Sequence, residues 1–429
     1  MTFDDALAYL RGLIDETRSA RGVRGLDRMR ALLDALGDPH LAYPTVHVGG
    51  TSGKGSTCAL IAEALRARGL RTGLHVKPHL RSETERACID GVPVAPERFA
   101  SLLEEMLPAI ERVTVRHGAP SYYETLLALT FLHFAREAVE IAVIEVGVGG
   151  RLDGTNVVHP QVAAITSVGL DHTEILGDTL QEIAFEKAGI AKTGVPLVCG
   201  VRDEAPRAVI ARRCEVVGAP FVDALTYARI EPAADGCDRC TIATPCDRYT
   251  FVPAIPAAFQ RANAALAACV LEHLPDGLRP GRTAIEDGFG RARLPGRMEV
   301  RCGSPPVVFD IAHNAEKAAA LVRSLHDVLG DRRAHLVLAV GASKDAHGII
   351  AALRPIAASW SFTAFATEGR SSRPAGELVR IAADLGIVGD AFARARDAFE
   401  RARERAMRDG GAVVVTGSTF VVAELYDAC

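Results

Sequence analysis

The segment HVGGTSGKGSTCALIAEALRARG, residues 47–69, constrains the fold more than any other stretch of the chain. Residues 45–48 read as the end of a buried strand, 49–55 as a tight glycine-rich turn and 56–68 as a helix closed by Gly69. A turn that feeds a helix N-terminus offers free backbone N–H groups at the positive end of the helix dipole, and these favour an anion. Gly50, Gly53 and Gly55 let the backbone approach phosphate oxygens with no Cβ in the way. Lys54 adds a point charge, and Ser56 or Thr57 a hydroxyl; Thr51 lies in the same turn. The usual nucleotide pattern would place glycine at position 48 and a hydroxyl at position 55, where this chain has Val48 and Gly55. The residues alone therefore also allow a glycine-rich turn that holds no phosphate.

Short apolar runs alternate with amphipathic stretches along the rest of the chain. Strands are expected at 44–48, 70–76, 141–146, 162–166 and 196–199, with helices such as 122–136 and 180–191 between them. A second series gives strands at 307–311, 334–340, 360–366 and 412–417, with helices starting at Ala315 and Ala346 and a last one after 417. This alternation predicts an α/β fold with doubly wound, largely parallel sheets. At 429 residues the chain is long for one core, so two domains are expected. The segment GRARLPGRMEV, 290–300, is the best linker, which divides the chain into 1–297 and 298–429.

With 48% apolar and 24% charged residues the chain has an ordinary globular composition, and a net charge of −4 gives no reason to expect nucleic acid or an anionic membrane. The N-terminus carries Asp4 and Asp5 in place of a basic apolar leader, and no apolar run reaches about 18 residues. The expectation is a cytoplasmic enzyme. The cysteines are scattered. Cys237, Cys240 and Cys246 have the spacing of a zinc knuckle but lack a second close pair, so they read as surface thiols on a hairpin, with zinc as the alternative. Only six of the 49 basic residues are lysine, at 54, 77, 187, 192, 317 and 344; where arginine fills most cationic positions, each lysine draws attention.

Three segments between loop and linker carry candidate chemistry. VIEVGVGGRLDGTN, 143–156, runs a strand into a glycine-rich turn and leaves Glu145 at the strand's carboxyl end, where a carboxylate suits magnesium. GLDHTEILGDT, 169–179, offers Asp171 and His172, although a single histidine is as readily a cap or a core residue as a metal ligand. FEKAGIAK, 185–192, places Lys187 on an apolar helix, where a snorkelling surface lysine is the plain alternative.

Taken together, GTSGKGST, SYYE at 121–124, EVGVGGRLDGTN, LDHTEILGDT, EKAGIAK, LPGR at 294–297, FDIAHN at 309–314 and SKD at 343–345 occur in an order that resembles the folylpolyglutamate synthase and dihydrofolate synthase family of Mur-type ATP-dependent amide ligases. The resemblance implies a P-loop-containing N-terminal domain with the pterin or folate site, a smaller Rossmann-like glutamate-ligase domain, and an active site in the cleft between them. It also implies the reaction: ATP phosphorylates a carboxylate, glutamate's amine attacks the acyl phosphate, and phosphate leaves. Such chemistry needs a phosphate cradle and metal ions more than a nucleophilic side chain.

Carried over by position, Gly50, Thr51, Gly53, Lys54, Gly55, Ser56 and Thr57 would hold the ATP phosphates, joined by Asn263, Arg297 and Asp310. Glu145 would hold one magnesium, and His172 with a carbamylated Lys187 a second; His313 completes the catalytic set. Lys344 and Asp345 resemble a loop that approaches the phosphates or the glutamate. Gly22, Val23, Arg24, Ser121, Tyr122, Tyr123, Glu124, Leu152, Asp153 and Gly154 would receive the pterin, the tyrosines offering a flat surface if they do not simply pack on the sheet. The implied partners are dihydropteroate or a reduced folate, L-glutamate and ATP, bound by a monomer.

Four departures stand out. Lys77 replaces a serine that helps bind the first magnesium in the family; either water completes that metal's shell or Lys77 contacts phosphate. Asp345-Ala346-His347 replaces Asp-Lys-Asp, Asn314-Ala315 replaces Asn-Pro, and Gly154 stands where alanine is common. Two other readings share parts of the pattern: a Mur-type amide ligase for a different carboxylic acid, and a nucleotide-binding regulator without catalysis.

Overall fold

The computed structural model describes residues 1–14, 25–232, 239–255, 257–301, 303–365 and 371–428. The chain divides into two compact units, Met1–Ala254 with Gln260–Ala292, and Ile255–Phe259 with Arg293–Cys429.

The first unit is built on strands β1 (Thr45–Gly49), β2 (Thr72–His75), β3 (Cys88–Ile89), β4 (Val92–Pro93), β5 (Ile141–Glu145), β6 (Val162–Ile165), β7 (Leu197–Cys199) and β8 (Phe221–Asp223), in the order β4-β3-β2-β5-β1-β6-β7-β8. From β2 to β8 neighbouring strands run parallel, while β3 and β4 add an antiparallel edge. Strands β1, β5 and β6 are buried along their whole length, which is why they read as continuous apolar runs without alternation. One core gathers Leu10, Met29 and Leu103 with Phe131, Phe134 and Ile144; another gathers Ile165, Ile183 and Ile190 with Leu197 and Ile210. Helices Lys54–Ala67 and Arg282–Arg291 cross closely enough that a Cβ on Gly288 would lie 2.4 Å from the Ala64 nitrogen. A small antiparallel sheet, β9 (Arg229–Glu231), β10 (Cys240–Ala243) and β11 (Arg248–Phe251), completes the unit.

The second unit has strands β12 (Glu299–Arg301), β13 (Val307–Phe309), β14 (Ala334–Leu338), β15 (Ala357–Phe362), β16 (Asp390–Ala391) and β17 (Ala412–Thr416), in the order β12-β13-β17-β14-β15-β16. All pairs but the antiparallel β12–β13 are parallel.

Local boundaries differ from expectation for identifiable reasons. The helix of the opening segment begins at Lys54 and not at Ser56, because Gly53 takes the left-handed N-cap conformation with φ 83°. Strand β15 starts at Ala357, three residues before the expected Trp360, since a small-residue run hides its strand character. Cys240 is no surface thiol: it opens β10 with its side chain buried, and burial lifts the thiol pKa to about 11. Cys246 is exposed near Tyr227, and Cys237 lies outside the described residues. Among the described residues no helix is long and apolar enough to cross a membrane.

Burial keeps three histidines of the first unit neutral: His47 is pushed down to about 3, and His75 and His133 to about 4, from an ordinary value of 6.5. The unfolded chain takes up protons at these positions below about pH 6.5, and the folded chain does so only near pH 3–4, so stability rises with pH across that window. The melting temperature should therefore fall progressively from pH 6.5 to 4.5. A flat profile over this range would contradict the burial of these rings as neutral species.

Candidate active site

The phosphate loop leaves β1 between two neighbours, with Val48 paired to Glu145 of β5 and Gly49 to Ile165 of β6. Gly50 adopts φ 140°, and a Cβ there would stand 1.9 Å from Thr166 Oγ1; one on Gly53 would stand 2.6 Å from Asn263 Oδ1. Backbone conformation and packing both demand glycine at these points. The loop is fastened to the segment after β6: Thr51 N–H donates to the Ser167 carbonyl at 2.9 Å, Ser52 N–H to Ser167 Oγ at 2.9 Å, and Thr166 Oγ1 to the Ser52 carbonyl at 2.6 Å. Thr51 Oγ1 also accepts from Gly169 N–H at 3.0 Å. The first intrahelical bond runs from Thr57 N–H to the Gly53 carbonyl, so the N–H groups of the preceding turn have no acceptor within the helix. Lys54 Nζ folds back onto the Gly50 and Thr51 carbonyls at 2.9 and 3.2 Å. Ser56 is half-buried, while the Thr57 hydroxyl is buried and without a hydrogen-bond partner.

Glu145 ends β5 and is buried, its Oε2 accepting the backbone N–H of Lys77 at 3.0 Å. Burial, reinforced by the Lys54 charge, pulls the Lys77 ammonium down to about 8 against the attraction of Glu145 and Asp153.

Past Glu145, Asp153 organises the turn. Its carboxylate accepts Val148 N–H at 2.8 Å, Thr155 N–H at 3.0 Å, Thr155 Oγ1 at 2.5 Å and the Tyr123 hydroxyl at 3.2 Å. Because the Thr155 hydroxyl donates to Asp153, the 2.9 Å contact with His47 assigns the ring proton to Nε2. A Cβ on Gly147 would fall 2.5 Å from Asp153 Oδ2, and one on Gly150 would fall 2.9 Å from the Glu186 and Lys187 carbonyls. The turn thus lies directly on helix Leu180–Ala188, with Arg151 N–H bonded to the Glu186 carbonyl at 2.8 Å. This helix ends at Ala188, short of the expected 191, with Gly189 at the C-cap, where a Cβ would collide with Arg151. The packing aims Lys187 inward: it is 3% exposed and its Nζ donates to the Gly50 carbonyl at 3.0 Å.

His172 follows β6, across the phosphate loop from Glu145. It occupies the N-cap position of the short helix Thr173–Leu176 with φ 54°, is half-buried and lies 3.7 Å from Glu174. Among the described residues no group of three or more His, Cys, Asp or Glu side chains gathers in a way that would hold a metal without other ligands. Glu145 lies on one side of the loop, and Lys187 reaches it through the Gly50 carbonyl.

The segment expected to face a pterin is partly committed to structure. Ser121 and Glu124 form a reciprocal cap on helix Tyr122–Arg136, and Glu124 is also paired with Arg28, whose Nη2 lies 2.7 Å away. The Tyr123 hydroxyl is held by Asp153, and the Tyr122 hydroxyl donates to the buried Glu83 at 3.4 Å. Arg86 lies 5.8 Å from the Tyr122 ring centroid and donates through Nε to His79 Nδ1 at 3.0 Å. Leu152 is half-buried, and a Cβ on Gly154 would stand 3.2 Å from Leu127 Cδ2. Gly22, Val23 and Arg24 lie outside the described residues. Sequence reasoning gave no role to Arg28, His79 and Arg86, which meet these residues through tertiary pairing. Asn263, packed on Gly53, is held by Gln260 at 3.0 Å.

In the second unit, Asp310 follows β13 and accepts Met298 N–H at 2.9 Å and Ala312 N–H at 2.8 Å; burial raises its pKa. Arg297 sits one residue before Met298 and contributes charge to both Asp310 and His313. His313 Nδ1 donates to the Ile311 carbonyl at 2.9 Å, which leaves Nε2 as an acceptor, 3.4 Å from Lys317 Nζ. Burial, with Lys317 second, holds this ring down at about 4. Asp345 caps helix Ala346–Leu353 by accepting Gly348 N–H at 2.9 Å, and the Lys344 carbonyl accepts from Arg373 at 3.1 Å.

Residues 48–271 match the Mur ligase middle domain, and residues 296–419 match the Mur ligase, glutamate ligase domain. The chain is 31% identical to the dihydrofolate synthase/folylpolyglutamate synthase of Bacillus subtilis, across 99% of this chain and 98% of that protein. Its fold is similar to that of E. coli FolC in complex with DHPP and ADP, with a TM-score of 0.85 and 28% identity over 100% of this chain and 97% of the other. It is also similar to the bifunctional folylpolyglutamate synthase/dihydrofolate synthase of Yersinia pestis complexed with AMPPNP and Mn ion, with a TM-score of 0.84 and 29% identity over 100% and 98% of the two chains. The matching domains and the full-length relative agree: the chain belongs to the Mur ligase family, in its folylpolyglutamate synthase/dihydrofolate synthase branch.

Proposed function

We propose that this chain is an ATP-dependent, ADP-forming ligase that both joins L-glutamate to dihydropteroate and extends reduced folates with further glutamates. The observation that carries the reading is the convergence of the phosphate loop, Glu145 and Lys187 at one edge of the sheet. The bifunctional name of the full-length B. subtilis relative supports the dual activity. ATP and a divalent metal are the reaction's requirements; DHPP with ADP, and AMPPNP with Mn, occupy the solved relatives.

The first-turn N–H groups and Lys54 hold the phosphate chain, with Gly50, Thr51, Gly53, Gly55, Ser56 and Thr57 as the cradle and Asn263 bracing Gly53. Two magnesium ions are proposed, one on Glu145 and one on His172 with a carbamylated Lys187; they supply charge neutralisation to the phosphates when bound. Carbamylation would leave one N–H on Nζ for the Gly50 carbonyl and would add an anion. The γ-phosphoryl group passes to the substrate carboxylate and ADP remains. The amine of glutamate then forms the C–N bond as the C–O bond to phosphate breaks, and the amine's proton leaves on the departing phosphate. Tyr122, Leu152 and Gly154 face the pterin in this proposal, while Ser121, Tyr123, Glu124 and Asp153 shape its wall.

Residues 298–429 are proposed to act as the glutamate-ligase domain, with Arg297 and Asp310 serving ATP. His313 presents its Nε2 lone pair to orient the amine; held near 4, it is too weak a base to keep the proton. The protein is proposed to work as a monomer.

Phosphate release should require ATP together with either dihydropteroate or tetrahydrofolate, and should fall to background without glutamate; activity with only one acceptor would remove the dual assignment. Lys54→Ala and Glu145→Ala should each lower turnover by about 10²-fold or more with little change in melting temperature, and near-normal turnover in both would contradict the site. Lys187→Ala should be nearly inactive and partly restored by short carboxylic acids. Carbon-13 bicarbonate should give a carbamate resonance that this variant lacks; full activity in buffer stripped of carbon dioxide would contradict the modification.

A further inference from the structure

Arg86 is 9% exposed, yet among the described residues it forms no ion pair with a carboxylate. A guanidinium is always charged and is seldom buried unless an acid meets it. Its side chain makes one hydrogen bond to the described residues, from Nε to His79 Nδ1 at 3.0 Å. That imidazole is pushed down to about 4 by burial and then by Arg86 itself, so it brings no negative charge and accepts as a neutral ring. Glu83 and Glu85 lie near enough to act on the same imidazole, but both are engaged elsewhere. Glu83 accepts the Tyr122 hydroxyl at 3.4 Å and lies 3.5 Å from Arg11; Glu85 accepts the N–H groups of Leu80, Arg81 and Ser82. The two Nη nitrogens of Arg86 carry no hydrogen bond to a described residue and are not sealed inside the protein.

The backbone fixes this group at the carboxyl edge of the first sheet. His75, the last residue of β2, donates through Nδ1 to the Arg86 carbonyl at 2.9 Å, and Thr130 Oγ1 of helix Tyr122–Arg136 lies 3.5 Å from the same oxygen. Strand β2 lies between β3, which starts two residues after Arg86, and β5, which ends at Glu145. The guanidinium carbon stands 5.8 Å from the Tyr122 ring centroid, and its charge acts on Tyr122, Tyr123 and Lys77. With Nε committed to His79, the plane of the guanidinium is set and the edge formed by Nη1 and Nη2 is the part left to donate. A flat heterocycle laid against Tyr122 has this forked donor beside it.

We propose that Arg86 is a specificity-determining residue for the acceptor's pteridine, its Nη groups donating to the C4 carbonyl oxygen and the adjacent N5. The inference rests on the reading of this edge as the acceptor site. That side of the pteridine presents two acceptors next to each other, as O6 and N7 of guanine do, and a guanidinium reads such a pair bidentately. In dihydropteroate both atoms accept. In a tetrahydro ring N5 carries a hydrogen, and the carbonyl remains as the acceptor. A 4-amino ring turns N–H groups toward the fork and sets donor against donor.

Steady-state phosphate release by the full chain tests it, with dihydropteroate, its 4-amino-4-deoxy analogue and tetrahydrofolate as acceptors. The wild type should prefer dihydropteroate over the 4-amino analogue by about 10- to 100-fold in kcat/KM, the scale of a bidentate contact or a hydrogen bond to a charged group. Arg86→Met should raise KM for dihydropteroate and tetrahydrofolate by a factor in the same range, leave the ATP KM near its wild-type value, and abolish the preference for the 4-oxo ring. Arg86→Lys, which keeps the charge without the fork, should restore part of the lost KM and part of the preference, and it carries the same comparison if Arg86→Met does not fold. A wild type that takes both rings equally, or a variant that keeps the wild-type preference, would overturn the proposal. So would a fall in kcat alone, which a packing role would give, or a KM change confined to tetrahydrofolate, which would assign the guanidinium to the tail carboxylate. No phosphate release by the wild type with either 4-oxo acceptor would instead remove the ligase reading, and the proposal with it.

Discussion

Two ammonium groups donate to one carbonyl: Lys54 reaches the Gly50 oxygen at 2.9 Å and Lys187 at 3.0 Å. Much of the first unit serves this junction. Lys187 arrives from a helix that must lie against the turn after β5, and that approach needs Gly150, where a Cβ would press on two helix carbonyls. The turn keeps its shape because Asp153 gathers four donors, one of them the phenol of Tyr123 from a separate helix. Thr155 passes the constraint on to His47 inside β1, the strand that launches the phosphate loop. Loop, turn and helix are thus mutually dependent, and rigidity of this kind is what phosphoryl transfer requires, since its catalysis is largely positioning and charge neutralisation.

The parts legible in the sequence were those with a local signature. A buried strand, a glycine turn and a helix within one stretch identify the phosphate loop before any tertiary contact is known, and continuous apolar runs identify β1, β5 and β6 as central strands. The order of several motifs resembles that of the ligase family, and domain matches over 48–271 and 296–419 agree. What stayed hidden was pairing over long sequence separations. Glu124 looks like a substrate-facing carboxylate, and only the fold brings Arg28 to it; Tyr123 looks like a stacking surface until its hydroxyl is traced to Asp153. Cys240 reads as exposed because its strand is short and its neighbours polar, and the sheet turns it inward. Asp345 resembles a ligand-binding loop residue, yet its carboxylate accepts a backbone N–H of the helix it caps.

Composition and geometry reinforce each other at the lysines. Of the six in the chain, Lys54, Lys77 and Lys187 belong to one sheet edge, and Lys317 stands beside His313. Arginine is always charged and spreads its charge over a wide fork, whereas an amine is a compact charge that can be neutralised or modified. The chain keeps that chemistry where a phosphate chain and a carbamate would use it.

The central claim is that this edge activates a carboxylate by phosphorylation. It is tested most directly by running the reaction with dihydropteroate labelled with oxygen-18 in its carboxylate. Transfer through an acyl phosphate predicts one labelled oxygen in each phosphate released, in step with amide formed. Amide formed in step with phosphate that carries no label would contradict it.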